Sequence, residues 1–294
     1  MYGSVDMVDL HIHSNYSDGN LSPEQLLKLA SESGIKIMSI TDHDSVDAYF
    51  QLGQGEIDKI YAGKLVPGVE LTTTYNGEVI EILGYNIDPN IMREEINRTK
   101  IPSDKSKQML FDMMLDKYLG VGARIDEGFL LNIDMTRDIR RQFMGELASH
   151  SENEHLFTDA ESMTKYSSFL RKELYNSDSP LFIDFSPLKP SLKEVLEMVH
   201  RSGGKAFLAH TFVYSQKFIN KLEKVLDDYD IDGVECYYST FTQEQTDYLL
   251  DVCARKGLLT SGGSDFHGHL RPNINLSRTT EGQMVPINLI SQWT

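Results

Sequence analysis

The stretch Val8–Asp44, "VDLHIHSNYSDGNLSPEQLLKLASESGIKIMSITDHD", holds two strands and the helix between them. Val8, Leu10 and Ile12 alternate with Asp9, His11 and His13, a two-residue period that gives a strand one polar face. Ser22 then serves as a helix N-cap, Pro23 suits the first helical position, Gln25 closes a capping box and Gly34 stops the helix. "IKIMSITDHD" (35–44) is a second strand, apolar at first and polar at its end. Strand, capped helix and strand in succession form the unit from which α/β folds are built.

Working outward, "KLVPGVELTTTYNGEVIEILGYNID" (64–88) predicts a strand and then a hairpin turning at Asn76-Gly77. From about Ile91 to Ser186 the pattern becomes polar, Met-rich and helical. "KQMLFDMMLDKYLG" (107–120) repeats apolar residues at three- and four-residue spacing, with Met109, Met113 and Met114 as packing. Alternation resumes with a helix boxed by Ser191 and Glu194, the strand "KAFLAH" (205–210), and helical "INKLEKVLDDY" (219–229). The strand "IDGVECYY" (231–238), a helix capped by Thr242, and the last strand "LLTSGGSDFH" (258–267) complete the series. Repeated βα units on both sides of an insert predict parallel strands with outer helices. We therefore expect an α/β domain from residues 1–90 and 187–294, interrupted by a helical insertion or lid at 91–186. Chemistry in such folds gathers at the C-terminal ends of the strands.

The unusual side chains recur at those ends: His11 and His13, then His43, Glu70, His210, and Asp265 with His267. Residues two apart share a strand face, so His11 and His13 can reach one ion, and Asp265 and His267 follow the same logic. A two-residue hairpin turn pairs Tyr75 with Glu78 and Thr72 with Glu81, which makes Glu70 and Glu81 diagonal neighbours on one face. Two adjacent acids repel unless a cation lies between them. Imidazole and carboxylate without thiolate suit Zn²⁺, Mn²⁺ or Fe²⁺, and Mg²⁺ less well. His150, His155, His200 and His269 fall in polar or helical surface contexts and are read as structural.

Bulk composition narrows the rest. With 28 Lys+Arg against 44 Asp+Glu the net charge is −16, a field that repels long duplex DNA. Cys236 and Cys253 are the only cysteines and form no Cys-x-x-Cys pair, which argues against a thiolate site or a disulfide framework. No apolar run approaches a membrane span and no secretion signal is evident, so a cytoplasmic protein without membrane contact is expected.

The segments "DLHIHSNYSDG", "SITDHDSV", "VPGVELTTTYNG", "ILGYNID", "AH" and "GGSDFHG" resemble the PHP (polymerase and histidinol phosphatase) family of metal-dependent phosphoesterases. The branch most similar contains nucleoside-monophosphate and 3′,5′-bisphosphate nucleotide phosphatases and a 5′→3′ RNA-trimming exonuclease. The resemblance implies a distorted TIM-like (β/α)7 barrel with two or three divalent metals. It assigns His11, His13, Glu70 and Asp265 to one ion and Asp18, His43 and His267 to another. Glu70 and His210 would contribute to a third. This chain places Glu81 where close relatives carry a His for that third ion. It also reads "AHTF", "IRRQF" and "CYYSTF" where relatives carry "AHP", an Arg-Pro-His stretch and a His-Pro-x-His segment.

The implied activity is hydrolysis of a phosphate monoester of a small nucleotide, AMP or a 3′,5′-bisphosphate, by a metal-activated water. His43, Asp265 and His267 would be the catalytic residues, with Asp265 a candidate proton acceptor. Arg140 and Arg141 are candidates to bind the phosphoryl group, and Asp42 and Asp44 to orient the ligands. The alternatives are a 5′→3′ exoribonuclease acting on short RNA ends, a histidinol-phosphate phosphatase and a non-catalytic metal-binding module.

Overall fold

The structure is a computed structural model that describes residues 7–277, 285–287 and 293. The remainder of the C-terminal part assigned above to the α/β domain lies outside the described residues. The first unit is β1 (Met7–Ile12), α1 (Pro23–Glu32) and β2 (Ile35–Ile40). The capping box at Ser22 and Gln25 forms as the sequence predicts, and Gly34 takes a positive φ of 75°. α2 (Asp47–Gln51) and α3 (Gln54–Ile60) lead to β3 (Lys64–Leu65), β4 (Gly68–Tyr75) and β5 (Glu78–Tyr85). Further on come α4 (Pro89–Thr99), α5 (Ser103–Gly120), α6 (Glu127–Asn132), α7 (Ile139–Ser149), α8 (Ala160–Thr164) and α9 (Tyr166–Phe169). The chain then returns through α10 (Leu192–Arg201), β6 (Lys205–Leu208), α11 (Gln216–Ile219), α12 (Leu222–Asp228), β7 (Gly233–Tyr238), α13 (Gln243–Lys256) and β8 (Leu259–Gly263).

β1, β2 and β3 form one parallel sheet, and β4 to β8 form a second in sequential order. In the second sheet β5 runs antiparallel to both neighbours, while β6, β7 and β8 are parallel. Hydrogen bonds join the sheets at both edges. Asp265 N–H donates to His11 O at 2.8 Å and His13 N–H to Phe266 O at 2.9 Å. At the other junction Asp44 N–H donates to Glu70 O at 2.8 Å. The result is a distorted TIM-like α/β fold, and both seams fall on the residues singled out above.

Two apolar clusters account for most of the interior. One packs the inner strands against α10, α12 and α13, and includes Met92 and Ile96 of α4. The second, centred on Met114, Phe143, Phe169 and Leu181, belongs to the helices and turns after α4, with Met109 and Met113 packed against it. The packing therefore changes partner after α4, although the sequence pattern changes at its start. No helix among the described residues is long and apolar enough to cross a membrane. Cys236 and Cys253 are buried free thiols with sulfurs 3.7 Å apart.

Candidate metal centre

Strand alternation turns His11 and His13 inward together, and both are fully buried. Their Nε2 atoms are 3.1 Å apart. Glu235 on β7 accepts from His11 Nδ1 at 2.9 Å; a carboxylate can only accept, so Nδ1 carries the proton and the Nε2 lone pair faces inward. His267 is fixed in the same way, since its Nδ1 lies 2.8 Å from the Asp265 carbonyl and donates to it. That leaves His267 Nε2 facing Asp18 Oδ1 at 3.1 Å.

Glu70 occupies the middle. Its Oε2 lies 3.2 Å from His11 Nε2, 3.3 Å from His13 Nε2 and 3.1 Å from His43 Nδ1. The buried oxygen nevertheless has no hydrogen-bond partner, and His267 Nε2 and His210 Nδ1 are likewise unpartnered. The other oxygen, Oε1, faces His210 Nε2 at 2.9 Å. The hairpin register is the predicted one, with Tyr75 opposite Glu78 and Thr72 opposite Glu81. Glu81 accordingly reaches the same region, 3.4 Å from His43 Nδ1 and 3.1 Å from His210 Nε2.

Three donor sets at this centre have their atoms within 4.8 Å of one another: His13, Asp18, His43 and His267; His11, His13 and Glu70; and His43, Glu70 and Glu81; a fourth, Asp126, Glu146 and His150, lies apart from it on the later helices. Lone-pair nitrogens packed against unpartnered carboxylate oxygen fit divalent cations, because such donors otherwise repel or stay unsatisfied. The field has the same sign. Burial opposes ionisation of Glu70, but the charges of His11 and His43 outweigh it and hold the carboxyl well below its usual range. Burial likewise disfavours charge on the imidazoles, yet Asp265 and Glu70 raise His13 to about 9, and Glu70 and Glu81 raise His210 to about 10. Positive charge of some kind is strongly favoured here.

Three of the six non-glycine residues with positive φ among the described residues lie at or beside this centre. Asp44, His210 and Asp265 have positive φ values of 47°, 22° and 57°. Non-glycine residues seldom adopt this region, and it clusters at functional sites.

The remaining site candidates divide. Arg140 lines the cleft beside the centre, but its guanidinium is held by Asp138 at 3.0 Å and Tyr175 at 2.9 Å. Arg141 points elsewhere and lies over the Tyr166 ring at 4.0 Å, as adjacent helical residues face different directions. The bonds of Asp42 and Asp44 also depart from expectation. Asp42 accepts from Ser14 N at 2.7 Å and Ser17 Oγ at 2.6 Å, which shapes the loop carrying Asp18. Asp44 accepts from Thr72 N and Lys189 Nζ, so neither acid bonds the His43 ring, but Asp42 reaches the His13 ring through Ser17, whose Oγ lies 3.4 Å from His13 Nδ1.

Sequence reasoning missed Glu235, Tyr238 and Arg271. Tyr238 donates to Asp265 Oδ2 at 2.7 Å, and Arg271 Nη1 donates to the same oxygen. An acid on the buried face of "IDGVECYY" was a usable signal for Glu235. Arg271 lies beyond the last strand, where no periodicity pointed to it.

Comparison with known proteins agrees with this geometry. The PHP domain family profile matches residues 9–241. A 5′-3′ exoribonuclease of Escherichia coli is 27% identical over 270 residues, covering 88% of this chain and 84% of the relative. A 3′,5′-nucleoside bisphosphate phosphatase of Chromobacterium violaceum is 23% identical over 266 residues, covering 88% and 87%. A solved structure from Bifidobacterium adolescentis, provisionally described as a metal-dependent phosphoesterase, superposes with a TM-score of 0.61 at 21% identity, covering 98% of this chain and 95% of that one. With the family profile spanning most of the strands that build the centre, the chain belongs to the PHP domain family of metal-dependent phosphoesterases.

Proposed function

We propose that the chain hydrolyses a phosphate ester at the end of a nucleotide, with AMP or a 3′,5′-bisphosphate as the simplest substrate. One observation carries the reading: Glu70 Oε2 is buried within 3.3 Å of three imidazole nitrogens and has no hydrogen-bond partner. His11, His13, Glu70 and Asp265 would hold one ion, Asp18, His43 and His267 a second, and Glu70, Glu81 and His210 a third. Bound divalent ions would supply an activated water and neutralise charge on the phosphoryl oxygens. The chain's own residues fix direction. His11, His13, Glu70 and Asp265 are buried, whereas the side chains of Asp18, His43 and Glu81 are 52%, 29% and 20% exposed. The phosphoryl group therefore approaches from the side of Asp18, His43 and Glu81.

Asp265 acts in this scheme as a ligand and not as the proton acceptor. Tyr238 and Arg271 occupy Oδ2, so Oδ1 is the oxygen that faces His13 at 3.1 Å.

A second reading, 5′→3′ removal of nucleotides from short RNA ends, is favoured by the exoribonuclease relatives, which match at higher identity than the bisphosphate phosphatase. The test is phosphate release from adenosine 3′,5′-bisphosphate by Mn²⁺-loaded protein, with His43→Ala as control. Release by the parent and loss in the variant are expected. No release from fully metallated protein, on this substrate or on 5′-phosphorylated oligoribonucleotides, would reject the assignment.

A further inference from the structure

Hydrolysis of a phosphate ester gains from a fixed cation beside the metal ions, because negative charge spreads over the phosphoryl oxygens as the bond breaks. The two arginines that the sequence offers for this task are engaged: Arg140 by Asp138 and Tyr175, and Arg141 against the Tyr166 ring. Two further cations of the neighbouring cleft are paired, Arg93 with Asp47 at 2.5 Å and Lys189 with Asp44 at 3.1 Å. Arg271 differs from all of these. Its Nη1 donates to Asp265 Oδ2, and its side chain makes no other hydrogen bond or ion pair among the described residues. A guanidinium is a rigid fork of N–H donors, so most of the fork is left over beside the metal centre.

The place of Arg271 follows from how the chain leaves β8. A single turn, Gly268–Leu270, comes directly after His267. The His269 N–H donates to Asn20 Oδ1 at 3.2 Å, which ties this turn to the loop carrying Asp18. Gly268 permits the close approach: its φ is 68°, and a Cβ there would overlap Asn20 Oδ1. Asp18 in turn faces His267 Nε2 at 3.1 Å, and its charge reaches Arg271. The guanidinium therefore lies on the open side of the centre, its side chain 37% exposed next to the half-exposed Asp18. Tyr238, the other donor to Asp265 Oδ2, is buried. The two donors differ in reach: Tyr238 can act only on Asp265, whereas Arg271 also meets the side from which the phosphoryl group approaches.

We propose that Arg271 binds a phosphoryl oxygen of the substrate and selects phosphate monoesters over diesters. One N–H stays on Asp265 Oδ2 while the free edge of the guanidinium takes the oxygen, so one cation serves a metal ligand and the substrate together. A monoester carries one more unesterified oxygen and one more charge than a diester, and Arg271 is the group that reads this difference. The inference rests on the phosphoesterase reading above and deepens it, because a monoester-selecting cation favours phosphate removal over strand cleavage.

Tyr238→Phe is the control, because it removes the other bond to Asp265 Oδ2 without touching the open side. All variants are measured at saturating Mn²⁺, with metal content and thermal melting checked for each. Binding of inorganic phosphate, read by calorimetry, needs no turnover. Arg271→Met should weaken it by about 10- to 100-fold, the range for a hydrogen bond between charged groups, and Tyr238→Phe should leave it close to the parent's. Arg271→Lys keeps a cation near Asp265 but loses the fork; it should load metal and still bind phosphate less well, and it covers the case in which Arg271→Met fails to fold. The ratio of kcat/KM for p-nitrophenyl phosphate to that for bis(p-nitrophenyl) phosphate should fall by about tenfold in Arg271→Met and hold in Tyr238→Phe. Equal effects of Arg271→Met and Tyr238→Phe on phosphate binding would overturn the proposal and leave Arg271 as a support for Asp265. An unchanged ratio in metal-loaded Arg271→Met, or a parent that binds no phosphate, would overturn it as well. If the parent hydrolysed neither ester, the phosphoesterase reading would fail and the selection of monoesters with it, while the phosphate titrations would still decide whether Arg271 holds the anion.

Discussion

His11 offers its Nε2 to the centre because Glu235 takes its Nδ1 proton, and Glu235 is itself pinned by the His210 N–H at 2.7 Å. One buried acid thus orients two of the proposed ligands. Glu235→Ala should weaken Mn²⁺ binding by about 10- to 100-fold, the usual cost of losing a partner that orients a ligand. Equilibrium dialysis with metal analysis reads this directly. Gly263 has a comparable influence through sterics. A Cβ there would overlap the His11 backbone nitrogen and Cβ, because β8 passes directly against β1 at that point. Gly263→Ala should cost about 1–3 kcal/mol in chemical denaturation and also lower metal affinity, since it displaces a proposed ligand. At this scale the imidazoles and acids were legible, because strand period places them on one face. The partners of Asp265 were not, since Tyr238 and Arg271 meet it only through the curvature of the fold.

The hairpin β4–β5 shows how an element carries site information. The Asn76-Gly77 turn fixes the register, and the register alone delivers Glu81 to the neighbourhood of Glu70. That inference could be made from sequence because turn chemistry and pairing are local. α4 shows the opposite case. Its polar sequence reads as the start of the insertion, yet Met92 and Ile96 pack into the barrel cluster and Glu95 binds Arg201 of α10 at 2.8 Å. The tertiary partner decides, and it lies 106 residues away. The pairing with Arg201 and Arg98 lowers Glu95 from its ordinary 4.5 to about 2. A lowered acid pKa means that the unfolded chain binds the proton more readily. The stabilisation is therefore complete above about pH 4.5 and disappears as pH falls toward 2. Glu95→Gln should destabilise by ~1 kcal/mol at pH 7, allowing for solvent screening of a partly exposed pair. The difference between variant and parent should shrink through that window in urea titrations.

On the scale of the molecule, two sheets joined at their edges bring strand ends from both halves of the sequence to one place. His11 and Asp265 are distant in the chain but adjacent across the seam, where Asp265 N–H meets His11 O. The alternating pattern of strands and helices foretold this gathering. It did not foretell which cations of the later helices would face the centre. Arg140 and Arg141 were equal in sequence, and only packing turned one toward the cleft and the other onto Tyr166. The central claim is that Glu70 is common to more than one metal position while His267 serves a single one. Metal content per chain after dialysis against Mn²⁺ tests it, comparing the parent with Glu70→Gln and His267→Ala, each checked for folding. The account predicts two or three ions in the parent, the loss of at least two in Glu70→Gln and the loss of one in His267→Ala. Equal losses in the two variants, or a parent that binds no ion, would contradict it.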